Sequence, residues 1–146
     1  SFMKQSQAGL VEKRYLAIVK GLVKEDQGTI SLPIGQPDPE RVERAVVEGG
    51  SPSVTHYQVL DRFRAGYSLV ELSLETGRTH QIRVHMAAIG HPVVSDHLYG
   101  ESNPFLIERQ ALHARKLAML HPVTGEPVSF EAELPEDMAN LLEKLR

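Results

Sequence analysis

The chain has 146 residues, 41% hydrophobic and 24% charged, with 16 Lys and Arg against 19 Asp and Glu, a formal net charge of −3 and no cysteine. That length is one domain or one part of a larger one, and the composition excludes a wholly disordered chain. Without cysteine there are no disulfide staples or thiolate metal sites, which suits a reducing cytoplasm, the location expected. No apolar run reaches the roughly 18 residues of a membrane-spanning helix, so no membrane role is expected. The slight acidity speaks against an all-round basic coat. Charge is nonetheless uneven: Lys4, Lys13, Arg14, Lys20 and Lys24 face one early acid, Glu12, whereas acids dominate after Pro122. Six of the seven histidines fall between His80 and His121.

In chain order, residues 1–3 read as the leftover of an expression tag, and residues 4–9 as the middle of something longer. Residues 14–20 are rich in strand formers and close at Gly21, with Tyr15, Ala17 and Val19 expected on one face. Residues 28–50, punctuated by Pro33, Gly35, Pro37 and Pro39, form a connecting excursion with room for one short strand. Residues 54–63 and 67–74 are two strand-like runs around Arg64-Ala65-Gly66, a hairpin signal. A helix follows, with Thr79 as the expected N-cap, an apolar stripe of Ile82, Met86 and Ile89, and Gly90 and Pro92 to end it. Residues 104–110 predict a short helix, and 112–120 fit strand or helix. Residues 128–134 alternate as a strand, and a last helix carries Met138, Leu141, Leu142 and Leu145 on one face. The expected fold is α+β, a mixed, mainly antiparallel sheet with a few flanking helices.

The densest polar group is Thr76-Gly77-Arg78-Thr79-His80-Gln81-Ile82-Arg83-Val84-His85, at the junction of a strand end and a helix start. Backbone N–H groups there favour anions, and Arg78 adds a two-pronged cation for phosphate or carboxylate. Arg83 lies beside the apolar stripe, where an arginine calls for a carboxylate partner. The plainer alternative makes both arginines surface residues. A metal site is not expected: His80 and His85 are five apart, about 140° around a helix, with no acid between them. No G-x-S-x-G and no Gly-rich phosphate loop is present. Tyr15 is either half-buried packing or an aromatic face for a flipped-out base.

Residues 13–21 (KRYLAIVKG), TGRTHQIRVH at 76–85, Ile89-Gly90-His91-Pro92 with Asp96 and Tyr99-Gly100, Leu112-His113-Ala114, and HPVTGE at 121–126 occur in that order. This series, spanning nearly the whole chain, resembles the RluA-type pseudouridine synthases. The resemblance implies isomerisation of a specific uridine to pseudouridine in ribosomal or transfer RNA, with no cofactor, no metal and no obligate protein partner. It implies that Tyr15 stacks on the flipped base and assists loss of the C5 proton. Arg83 pairs with a catalytic aspartate, Arg78 and His80 bind substrate, and Leu112 lines the pocket wall. The family's H-R-L-D motif is missing, and the five aspartates Asp26, Asp38, Asp61, Asp96 and Asp137 stand in other contexts. The expectation is therefore a C-terminal portion of the catalytic domain, inactive alone, in which Arg83 lacks its partner and swings toward solvent or a bound anion. The alternative is a non-catalytic RNA-binding module that keeps the pocket.

Overall fold

The computed structural model describes residues 12–146; the readings made for residues 1–9 lie outside them. Among the described residues eight strands and two helices follow one another: β1 (Glu12–Lys20), β2 (Gln27–Ser31), β3 (Ile34–Gly35), β4 (Ala45–Val46), β5 (Val54–Phe63), β6 (Tyr67–Leu74), α1 (Gln81–Ala88), β7 (Leu112–Leu120), β8 (Pro127–Glu131) and α2 (Glu136–Leu145). Six strands form one sheet in the order β2-β5-β6-β1-β7-β8, and β3 pairs with β4 apart from it. Every pairing among these strands is antiparallel. The class is α+β, as expected, with the sheet antiparallel rather than mixed.

The strand β1 is a central strand of the sheet, held by β6 on one side and β7 on the other. Leu16, Ala17, Ile18 and Val19 are buried in succession, so both faces of β1 are covered there, rather than the single face that alternation predicts. Ile82 and Met86 of α1 and Met138, Leu141 and Leu142 of α2 complete the core around it. Gly66 closes the β5–β6 hairpin at φ 96, a conformation that costs a residue with a Cβ and not a glycine.

Three local readings are corrected. The excursion at 28–50 holds parts of three short strands rather than one. Residues 104–110 make one turn, not a helix, because Ser95 Oγ lies 2.6 Å from Ile107 O and accepts the Asn103 N–H, tying this stretch to the loop before it. Thr79 does not cap α1; His80 does, in the left-handed region at φ 58 and without a side-chain bond. The threonine with the structural task is Thr76. Its hydroxyl accepts the Val54 N–H and donates to Gln81 Oε1, which also accepts the Arg78 N–H.

That contact opens a buried polar chain. Gln81 Nε2 donates to Val54 O and Thr55 Oγ1, the Thr55 hydroxyl donates to His85 Nδ1, and His85 Nε2 donates to Leu32 O. Each donor has an acceptor only if His85 is neutral with its proton on Nε2. Burial pushes the His85 pKa down, against a smaller opposing effect of the Leu32 carbonyl. The chain fastens the start of α1 to β5 and to the excursion, and so fixes where the strand–helix junction sits.

The unfolded state takes up the His85 proton near the ordinary histidine value of about 6.5, whereas the folded state resists it to lower pH. Stability from this residue is therefore complete above that value and lost progressively as pH falls below it. The urea midpoint should drop between about pH 7.5 and about pH 5.5, and drop less in His85→Gln, which has no ring to protonate. An equal drop in both proteins would mean that other groups carry the acid limb.

Candidate functional site

A cleft of about 290 Å³ opens between β1, the end of β6, the first turn of α1 and the start of β7. That is near the lower end of ligand-pocket sizes. Tyr15, Arg78, His80, Arg83 and Leu112 all line it, with Leu74, Gln81, Ile82 and Gln110. The five residues singled out from the sequence thus come from three separate stretches of chain to one place.

Each has a local reason for its position. Tyr15 stands where the pairing of β1 with β7 shifts register, so that Arg14 faces Lys116 and Tyr15 faces Ala114. A bulge of this kind re-aims the neighbouring side chain. The ring is half-buried, and burial pushes its hydroxyl pKa up, so at neutral pH it is a phenol. Arg78 is exposed, braced by two bonds from Nε and Nη2 to Pro52 O at 3.1 and 2.9 Å. It lines both this cleft and a larger adjoining hollow of about 480 Å³ that runs past Lys13, Arg115 and Phe130. Leu112 follows Gln110 at the mouth of β7 and supplies apolar wall.

Arg83 departs from expectation. It does not lack a partner: Nε and Nη2 donate to Asp96 Oδ2 and Oδ1 at 2.7 and 2.8 Å, and Arg83 is 8% exposed against 0% for Asp96. Asp96 Oδ1 also accepts the N–H groups of Leu98 and Tyr99. Burial alone would raise the Asp96 pKa, but Arg83 and these N–H groups hold it below the usual carboxylate range. The same hydrogen bonds raise Arg83. The Arg83 guanidinium carbon also lies 5.2 Å from the centre of the Tyr99 ring. Its third nitrogen, Nη1, has no hydrogen-bond partner among the described residues. Since no buried side-chain nitrogen or oxygen among the described residues is left unpaired, Nη1 is not fully buried.

Asp96 is the residue whose role the sequence reading missed, although it stood within the quoted series. The signal was present: a semi-buried arginine needs a carboxylate, and Asp96 follows it by 13 positions. None of the five aspartates lines the cleft. Asp96 lies behind Arg83, fully buried, with both oxygens engaged in hydrogen bonds. Among the described residues no group of three or more His, Cys, Asp or Glu side chains could hold a metal ion.

Comparison with known proteins gives a consistent result. Residues 1–88 match the family model described as RNA pseudouridylate synthase. The chain is 52% identical over 136 residues to an uncharacterised RNA pseudouridine synthase, YlyB, of Bacillus subtilis, covering 93% of this chain and 45% of that protein. It is 44% identical over 151 residues to ribosomal large subunit pseudouridine synthase D of Nitrosomonas europaea, covering 98% and 43%. The chain thus spans a little under half the length of these curated relatives. Among solved structures it is similar to human RNA pseudouridylate synthase domain containing 1, with a TM-score of 0.76 and 32% identity over 99% of this chain and 69% of that one.

The Arg83–Asp96 pair carries a stability prediction opposite to that of an arginine without a partner. Asp96→Ala should lower unfolding stability by about 3–5 kcal/mol, because it strands a buried guanidinium. Arg83→Lys should also lower the melting temperature, since a single ammonium does not reproduce the two-pronged contact. Thermal unfolding of the two variants checks both, and an unchanged melting temperature in either would mean the pair is not formed.

Proposed function

Because the chain belongs to the RNA pseudouridylate synthase family, we propose that it forms the base-binding half of an active site that isomerises a specific uridine to pseudouridine in ribosomal or transfer RNA. The observation that carries this reading is the convergence of Tyr15, Arg78, His80, Arg83 and Leu112 on one cleft. In that reaction the N1–C1′ bond of uridine breaks, the uracil turns, and C5 bonds to C1′. The C5 proton is lost and N1 gains one, so composition is unchanged.

A uracil inside a duplex or folded loop is out of reach, and taking it out of the stack requires an apolar and aromatic slot. Tyr15 offers its ring face, with Leu74, Ile82 and Leu112 as the apolar walls. Arg78, exposed at the rim and braced by Pro52 O, would meet the phosphate of the flipped nucleotide. Because burial keeps Tyr15 protonated, it has no standing phenolate. A proton leaving C5 would pass through its hydroxyl, one arriving as the other departs.

On this reading the nucleophile is a carboxylate from outside these 146 residues, in keeping with a cleft lining that holds no aspartate. Arg83 would receive it through Nη1, the prong that Asp96 does not use. Asp96 then acts behind the site. It fixes the guanidinium plane, so that the incoming carboxylate meets a donor already held in place.

The 146-residue chain should release no tritium from RNA labelled at uridine C5, whereas the full-length protein should. Turnover by the chain alone would mean that one of its own aspartates is the nucleophile. In the full-length protein Tyr15→Phe should bind RNA normally and slow product formation by about 10²-fold or more, the range general acid–base groups supply. Normal turnover would leave Tyr15 with a packing role.

A further inference from the structure

Beside the cleft, His80 forms the wall shared with a second hollow lined by Gln36, Arg41, Arg44 and Thr79. Its ring meets Tyr99 edge to face, with centroids 5.5 Å apart at 71°, and its Nδ1 lies 2.7 Å from the Tyr99 hydroxyl. The same hydroxyl oxygen accepts the backbone N–H of Arg44 at 2.9 Å. A backbone N–H only donates, so that contact occupies a lone pair and leaves the phenol proton to be placed. His80 Nδ1 is the one acceptor within reach of it among the described residues. With the phenol donating to Nδ1, the proton of the neutral imidazole sits on Nε2.

Nε2 has no hydrogen-bond partner among the described residues, and no buried side-chain nitrogen or oxygen is unpaired, so this N–H is open to solvent. His80 also holds a left-handed backbone at φ 58, a strain that persists where surroundings over-determine it and that clusters at functional sites. His80 lines both hollows, and an unpartnered N–H there matches what uracil offers, two carbonyl oxygens on its edge.

We propose that Tyr99 is a positioning residue that holds His80 as an Nε2–H donor to a carbonyl oxygen of the flipped uracil. The inference rests on the isomerase reading and adds to it the group that meets the base edge. Negative charge gathers on the uracil carbonyls when the glycosidic bond breaks, and a preorganised N–H donor at that point is worth most in the transition state. The Arg44 N–H contact extends the control to the 28–50 excursion, since displacing that segment would free the Tyr99 oxygen.

Ring neutrality follows from the surroundings. Burial, then the charges of Arg83 and Arg44, push the His80 pKa down, while Asp96 and Glu43 oppose them. Arg41 and Glu40 line the second hollow, and Tyr15 and Arg78 the cleft. Protonating Nδ1 also requires breaking the bond from Tyr99, so that bond itself favours the neutral ring.

The test is Tyr99→Phe in the full-length protein, which keeps the ring against Arg83 and His80 and removes only the hydroxyl. Single-turnover kinetics on uridine-containing RNA should show the chemical step slowed about tenfold or more, with RNA affinity within about twofold. The deficit relative to wild type should shrink only as pH falls well below the ordinary histidine value of about 6.5, because an imidazolium is a donor at either nitrogen whichever way it rotates. In a His80→Ala background Tyr99→Phe should have no further effect. Nitrogen-15 NMR of the wild-type protein supplies a readout independent of RNA, with His80 protonated at Nε2 and bare at Nδ1. A ring protonated at Nδ1, or a Tyr99→Phe deficit that is the same at every pH, would overturn the inference while an active wild type left the isomerase reading standing. A wild-type protein without turnover would overturn both.

Discussion

Two oxygens of Asp96 and two nitrogens of Arg83, 2.7 and 2.8 Å apart, hold the cleft together from behind. Taking two opposite charges out of water costs several kcal/mol for each ion, and the cost is recovered only where geometry is good and the remaining lone pairs are satisfied. Here the contact is two-pronged, and the N–H groups of Leu98 and Tyr99 take up more of the Asp96 oxygens. The pair ties α1 to the loop after it. Ser95, one residue earlier in a left-handed conformation, ties that loop to residues 103 and 107. Tyr99 is then carried to the side of His80, and Leu112 is brought to the cleft where β7 begins.

A second buried system works from the opposite side. The run from Thr76 through Gln81 and Thr55 to His85 and Leu32 O locks the strand–helix junction onto β5. Within TGRTHQIRVH, then, Thr76, Gln81 and His85 face inward to place the junction, while Arg78 and His80 face the clefts. Arg83 does both, through different nitrogens. A ten-residue motif is this crowded because one turn of helix has to anchor two networks and line a cleft at once.

That division explains what was legible in the sequence. Alternation and turn chemistry delivered β1, the β5–β6 hairpin with its Gly66 turn, and α2, because each is a local pattern that tertiary contacts reinforce. The excursion at 28–50 was under-read, since two-residue strands such as β3 and β4 leave no periodic trace. Residues 104–110 had helical composition, but the Ser95 hydroxyl, a contact across 8 to 12 positions, decides their path. Thr79 had the right chemistry for an N-cap and lost to His80, whose left-handed backbone opens the helix, while Gln81 reaches back to accept the Arg78 N–H. Among the cleft residues Tyr15, Arg78 and Arg83 were legible from local side-chain chemistry, and His80 and Leu112 through the family resemblance; none came from periodicity.

The misplaced expectation for Arg83 shows where such transfer stops. Pairing an arginine with a carboxylate is sound physics, yet the motif does not say how many carboxylates one guanidinium can serve. Arg83 has five N–H donors, and Asp96 engages Nε and Nη2, while Nη1 is not fully buried. A guanidinium already neutralised by a buried partner attracts a second carboxylate less strongly by charge than a bare one would. In the proposed function it would supply direction instead, because its plane is fixed before a second partner arrives and little rotamer freedom is left to lose. For a nucleophile that has to leave its counter-ion and attack carbon, a partner that orients it without binding it tightly is the better match, since tight ground-state pairing would add to the barrier.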